Sequence, residues 1–231
     1  MGTLIATVII SFWAVHLFYA LSSVQINYLS PIFYSHILLQ AYLYTGLFIT
    51  GHDAMHGVIS KSNIINKIFG WLSSLLFAGL SYSKLIKNHF KHHKNPGTKD
   101  DPDFNENSQN CFVWWVTFLF RYITLIQILI MGIIFNLLKI WFSEESIIFF
   151  WIIPALLGTF QLFFFGTYLP HKKPHTESMQ PHNSRTQKKN HLWAMLSCYF
   201  FGYHHEHHES PKTPWWQLYK LKNRISETTT Q

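Results

Sequence analysis

Charge is scarce in this chain. Asp, Glu, Lys and Arg make up 13% of its 231 residues, against about a quarter in ordinary soluble proteins. Acidic side chains are the scarcer kind, 11 against 18 basic ones, which leaves a formal net charge of +7. Cysteine is nearly missing: Cys111 and Cys198 are too few for a disulfide framework and form no CxxC metal or redox pair. They read as ordinary buried or membrane-facing thiols. The chain carries no glycine-rich nucleotide fingerprint, so nothing in it points to a resident dinucleotide or flavin. No basic segment precedes the first apolar run, which argues for a retained span rather than a cleaved signal peptide.

Apolar and aromatic residues are what the chain has in quantity, 48% and 18% respectively. They gather in runs near 4–21, 32–50, 122–140 and 147–169, close to the ~20 residues that a bilayer helix needs. Pro154 is expected to kink the last of these. The run at 64–80 is interrupted by Asn66, Lys67, Ser73 and Ser74, so it reads as a helix lying along the membrane interface. Residues 228–231 read as a frayed tail. The fold expected is an all-α integral membrane protein, one domain over 1–231, with about four transmembrane helices plus interfacial helices.

The basic residues are not spread as they would be for nucleic acid. Seven lie in 58–111 and nine in 171–231, leaving only Arg121 and Lys139 elsewhere, while the links 22–31 and 141–146 carry none. That asymmetry places both basic segments and both termini on the cytoplasmic side. Anionic lipid headgroups of the bilayer are then the expected counter-charge.

Those same segments hold the histidine clusters. His89-Phe90-Lys91-His92-His93 and His204-His205-Glu206-His207-His208 share the word HxxHH, and His52 and His56 stand four apart. With 15 histidines, each HxxHH word is expected about 0.06 times per chain when matches are counted against the template. Residues at i, i+3 and i+4 share a helix face, so each cluster is expected to aim its imidazoles at one place. Eight imidazoles are too many for one tetrahedral zinc and suit two metals better. Histidine-only ligation makes iron a good candidate, although spacing alone leaves zinc, copper and manganese open. The clusters form a cytoplasmic cap above the helix ends, where a bilayer-borne hydrocarbon would reach them.

The residues around the histidines carry a more specific signal. Gly51-His52-Asp53-Ala54-Met55-His56-Gly57, His89 through Gly97 with Asp101-Pro102-Asp103-Phe104, and Phe165-Gly166-Thr167-Tyr168-Leu169-Pro170-His171 form one set. His182-Asn183, and Phe201-Gly202-Tyr203 leading into the last histidine word with Pro214-Trp215-Trp216, complete it. In this order, from about residue 40 to 220, the chain resembles the bacterial and cyanobacterial carotenoid ketolases, which are similar to membrane fatty-acid desaturases and hydroxylases. The resemblance implies a non-haem di-iron, O2-dependent membrane oxygenase. It would convert β-carotene through echinenone to canthaxanthin by two C4 hydroxylations and dehydration, within carotenoid and astaxanthin biosynthesis. It also implies a bacterial inner or cyanobacterial membrane and a ferredoxin-type electron donor.

The same resemblance implies iron ligands at His52, His56, His89, His92, His93, His204, His207 and His208, with His171 as a ninth. Asp53, next to a ligand, either bonds an imidazole and handles protons or is a helix-end residue in water. Glu206 has the same two readings, and the Asp100–Asp103 run reads as structural. His205 is about 100° round a helix from His204 and reads as a supporting residue. His182 is either part of the family-like His-Asn pair or a loop cap. His175 and His191 read as exposed loop residues, and His16 and His36 as hydrogen-bonded groups within the spans. A carotenoid ring hydroxylase, a fatty-acid desaturase or hydroxylase, and a membrane metal transporter are the competing readings.

Overall fold

The structure is a computed structural model that describes residues 1–229. Its elements are helical, with no strand among the described residues. Helix α1 (Gly2–Ser23) and helix α2 (Pro31–Met55) are joined by a short link, and Pro31 opens α2 at a position where its missing N–H costs nothing. Ala6, Ile9, Trp13, Leu17 and Ala20 form one buried face of α1 at three- and four-residue spacing, while Leu4, Phe12 and Phe18 face outward. His16 ties α1 to α2: its Nδ1 meets Gln40 Oε1, and its Nε2 lies 3.0 Å from His36 Nδ1. This pair is internally satisfied, as expected.

Helix α3 (Asn63–Ala78) bends by 103° into α4 (Tyr82–Lys94). The turn is made at Gly79, whose φ of +65° suits a residue without a side chain. Helix α3 corrects the interfacial reading of 64–80 in one respect. Its polar and small residues Asn66, Gly70, Ser73 and Ser74 are buried, and Ile64, Ile68, Trp71 and Leu75 are exposed. The polar face packs on α2, where small residues permit close approach, and the apolar face looks away from the protein.

Helices α5 (Cys111–Tyr122) and α6 (Leu125–Leu138) meet at 89°. The expected single span at 122–140 is therefore corrected to α6, of 14 residues, too short to cross alone. No residue of α6 is buried. The fourth expected span is a continuous helix, α7 (Glu144–His171), of 28 residues. It contains π-helical turns at Ile148–Ile152 and Phe164–Tyr168, each ending two residues before a proline, Pro154 and Pro170. The wider turn accommodates the missing proline N–H, where the sequence suggests a kink. Helices α1, α2 and α7 are long and apolar enough to cross a membrane, and up to five crossings result if each bent pair forms one.

Helix α7 lies close against α2. A Cβ on Gly158 would come within 3.0 Å of Tyr44 Cβ and 3.1 Å of Ala41 O, so any larger residue would require α2 to give way by a few tenths of an ångström. A polar bridge crosses the same seam. Thr45 Oγ1 donates to Gln161 Oε1 at 2.6 Å, and Gln161 Nε2 donates to Ser197 O at 2.6 Å on helix α8 (His191–Cys198). Helix α9 (His204–Glu209) then enters the interior, and α10 (Leu218–Thr229) closes over it. Helix continues through Thr228 and Thr229 of the expected tail, while Thr230 and Gln231 lie outside the described residues.

Candidate metal centre

The end of α2, the last turns of α4, the end of α7 and α9 converge at one end of the bundle. Together they bring all nine histidines expected as ligands into two groups. His52, His56, His89, His93 and His207 form one, and His92, His171, His204 and His208 form the other. Within each group the candidate ligand atoms all lie within 4.8 Å of one another.

The expectation that each HxxHH word aims at one place is corrected by this arrangement. His89 and His93 enter the five-histidine group, whereas His92 enters the four-histidine group. On α9 the split is reversed: His204 and His208 enter the four-histidine group, and His207 the five. Residues at i and i+4 lie only about 40° apart around a helix, whereas i+3 falls about 60° to the other side of i. Two centres set side by side can divide a helix face along that difference.

The nitrogens crowd one another in a way that demands an explanation. His207 Nε2 lies 3.1 Å from His52 Nε2 and 3.0 Å from His93 Nε2. His208 Nε2 lies 3.1 Å from His92 Nε2 and 3.0 Å from His204 Nε2. A neutral imidazole has one N–H and one lone pair, so one ring nitrogen cannot satisfy both neighbours in each cluster without leaving lone pairs face to face. A cation resolves this. Two nitrogens at about 2.1 Å from one metal and at right angles to it stand about 3.0 Å apart. The donor set therefore fits a metal in each group.

Charge state and orientation point the same way. Burial first, and then the neighbouring imidazoles, hold His204, His207 and His208 well below the ordinary histidine range, so they are neutral and keep a lone pair to donate. His171 donates from Nδ1 to the Asn183 carbonyl at 3.0 Å, and its buried Nε2 has no hydrogen-bond partner among the described residues. His92 donates from Nδ1 to Asp101 Oδ2 at 2.9 Å, the carboxylate–histidine arrangement that commonly fixes a metal ligand.

Asp101, which reads from sequence as structural, thus supports a candidate ligand. It also accepts the N–H groups of Gly97 and Asp103, each at 2.8 Å. Burial opposes its ionisation, but attraction to His92 and their hydrogen bond keep its carboxyl below the usual carboxylate range. The Asp101→Asn variant is expected to hold metal 10–100-fold less tightly, since it loses a charged acceptor behind the imidazole. Chelator titration of the purified protein measures this, and an unchanged metal affinity would remove Asp101 from the site. Asp103, pushed up to about 6 mainly by burial, accepts the Tyr122 hydroxyl at 2.5 Å, and both line the cavity described below.

Asp53 belongs to neither group. Its Oδ2 accepts the Trp215 N–H at 3.2 Å, and its Oδ1 is 3.5 Å from His52 Nδ1, too long for a good hydrogen bond. It pins the Pro214-Trp215-Trp216 segment to the end of α2. Glu206 is buried beside Lys222, 3.4 Å from its Nζ. His205 bonds the Ser184 carbonyl at 3.0 Å, in keeping with a supporting role, and His182 meets Glu209 at 3.1 Å. His175 and His191 are half-buried rather than exposed: His175 bonds the His171 carbonyl at 2.9 Å, and His191 bonds the Tyr203 hydroxyl at 2.6 Å.

Phe201 stands in one of the motifs that flank the histidines, but the sequence assigns it no role. Its ring centroid is 4.8 Å from that of His52, 5.1 Å from His204 and 5.8 Å from His207, so it props members of both groups. Only the tertiary fold brings it there, because it lies outside the histidine words. Beside it opens a cavity of about 210 Å³, lined at one end by His52, His89, His92 and His204. Its other walls are mainly apolar, including Phe48, Phe77, Leu85 and Leu162. Such a lining is suited to a lipophilic group.

The chain has relatives among known proteins. The fatty acid desaturase family matches residues 29–140 and 118–231. A zeaxanthin 4-ketolase of Chlamydomonas reinhardtii is 36% identical over 239 residues, covering 96% of this chain and 53% of that protein. A beta-carotene ketolase of a Paracoccus species is 38% identical over 180 residues, covering 77% of this chain and 74% of that protein. A beta-carotene 4-ketolase of Protosiphon botryoides is 34% identical over 247 residues, covering 94% of this chain and 62% of that protein. The chain thus spans about half the length of the Chlamydomonas protein and about three quarters of the Paracoccus one.

Proposed function

Because this chain belongs to the fatty acid desaturase family and has named carotenoid ketolases among its relatives, we propose that it is a β-carotene 4-ketolase. The observation that carries the reading is the pair of all-histidine groups closing one end of an apolar cavity. Each group would hold one iron: His52, His56, His89, His93 and His207 the first, His92, His171, His204 and His208 the second. Two bound irons would supply dioxygen activation, giving an oxidant able to take hydrogen from an unactivated carbon.

The chain's own residues do the rest. The apolar walls take the β-ionone ring from the bilayer and present its C4 methylene to the histidine end. Asp101 and the Asn183 carbonyl fix the rings of His92 and His171, and Phe201 fixes His52 and His204. Asp53 acts as a positioning residue through Trp215. The chemistry balances in two rounds, each using one dioxygen, two electrons and two protons and releasing one water. The methylene becomes a secondary alcohol and then a geminal diol, which loses water to leave the ketone. The electrons come from a ferredoxin-type donor. The basic segments and both termini face the cytoplasm, following the distribution of Lys and Arg in a bacterial inner or cyanobacterial membrane.

Expression in a β-carotene-producing bacterium is expected to turn the pigment into echinenone and canthaxanthin, read by chromatography. Unchanged β-carotene would sink the reading, and ring alcohols without ketones would make the chain a hydroxylase. A zeaxanthin-producing host forms the second arm, because one relative is named for that hydroxylated substrate.

A further inference from the structure

Threonine hydroxyls inside helices commonly bond the carbonyl one turn back. Thr50 of α2 does so, 2.9 Å from Gly46 O. Thr159 of α7 does the same at 2.7 Å from Ala155 O. Thr167 does not. It is buried, it lines the cavity, and its hydroxyl has no hydrogen-bond partner among the described residues.

Thr167 lies in the π-helical turn Phe164–Tyr168, where backbone bonding shifts by one residue. Thr167 also precedes His171 by four residues, so both side chains lie towards one side of α7. His171 is grouped with His92 and His204, and both of these line the same cavity as Thr167. A hydroxyl with no protein partner among the described residues therefore stands about one helical turn from the four-histidine group, in the wall of an otherwise mainly apolar chamber.

We propose that the Thr167 hydroxyl holds the 4-hydroxyl group of the singly oxidised ring for the second oxygenation, so that this residue sets the balance between alcohol and ketone. The inference rests on the ketolase reading. An unreacted β-ionone ring has no polar group to offer, so Thr167 contributes nothing to holding β-carotene. After the first round the new C4 hydroxyl finds a partner that can both donate and accept. In the second round the secondary alcohol, one dioxygen, two electrons from the ferredoxin-type donor and two protons give the geminal diol and one water. The diol then sheds a second water. Thr167 exchanges no atoms in this sequence; it keeps the alcohol from leaving before the round is complete.

The test compares Thr167→Val, Thr167→Ala and Thr167→Ser in a β-carotene-producing host, with the ratio of 4-hydroxy to 4-keto rings as the readout. Valine and alanine are expected to raise that ratio roughly five- to tenfold, the effect of losing one hydrogen bond. Serine keeps the wild-type ratio. With the purified enzyme, KM for a 4-hydroxylated carotenoid rises several-fold more than KM for β-carotene in the valine and alanine variants, and the metal content stays at the wild-type value. A fall in total oxidised pigment at constant ratio would mean that Thr167 only supports α7, and the proposal fails. If valine does not accumulate in the membrane, the alanine ratio decides alone. Absence of ketone from the wild-type chain would overturn the ketolase reading itself, whatever the variants do.

Discussion

Replacing His207 by alanine is expected to leave about one metal per chain instead of about two and to lower carotenoid oxidation at least 100-fold. His207 is the contribution of α9 to the five-histidine group, and its Nε2 is within 3.1 Å of His52 and 3.0 Å of His93. Its loss opens that group at its centre. His208→Ala is the mirror experiment, because His208 makes the same two contacts, at 3.1 and 3.0 Å, with His92 and His204. Each variant is expected to retain the other metal. His205→Ala is the control: its ring bonds the Ser184 carbonyl and belongs to neither group, so both metals stay. Metal analysis of purified protein beside pigment assays decides the matter. Full metal content in the His207 variant would show that the two groups are not two separate centres.

A single methyl group at position 166 is expected to be nearly as damaging. A Cβ on Gly166 would lie 2.5 Å from two ring atoms of Phe201, a distance at which something must move. The Phe201 ring cannot retreat freely, because it packs against His52, His204 and His207. In Gly166→Ala the ring pushes into members of both groups, and activity is expected to fall 10–100-fold, in line with the sensitivity of catalysis to small misplacements. The double variant Gly166→Ala/Phe201→Leu relieves the clash and should recover part of that loss. If the single variant turns over carotenoid at the wild-type rate, Phe201 is not what holds these histidines apart.

How much of this was legible beforehand differs from element to element. Eight of the nine candidate histidines stand out by their spacing, because imidazoles sharing a helix face leave a mark in the order of residues, whereas His171 comes only from the resemblance of its flanking residues. The division into two groups is not legible there. Periodicity puts His89, His92 and His93 on one face but says nothing about whether that face meets one centre or two. Helix α3 shows another limit. Its polar residues mark an amphipathic helix correctly, but polarity alone does not tell water from the flank of α2, where Ser73 and Ser74 are buried. At 122–140 the apolar content reads as one continuous span, since hydropathy carries no information about the sharp bend between Tyr122 and Leu125.

The sequence by itself determined the candidate ligands of the site and the apolar character of the chain: histidine words, long apolar runs, and basic residues concentrated in two segments. These follow from local chemistry, in which each residue type acts through its own polarity and its near neighbours. Only the tertiary structure decided that the clusters divide five to four, that Asp101 and the Asn183 carbonyl stand behind His92 and His171, and that Phe201 props both groups. Those pairings join residues far apart in the chain or on different elements. They depend on close packing, such as the fit of Gly166 against Phe201, and packing is a property of surfaces that meet only once the helices have assembled.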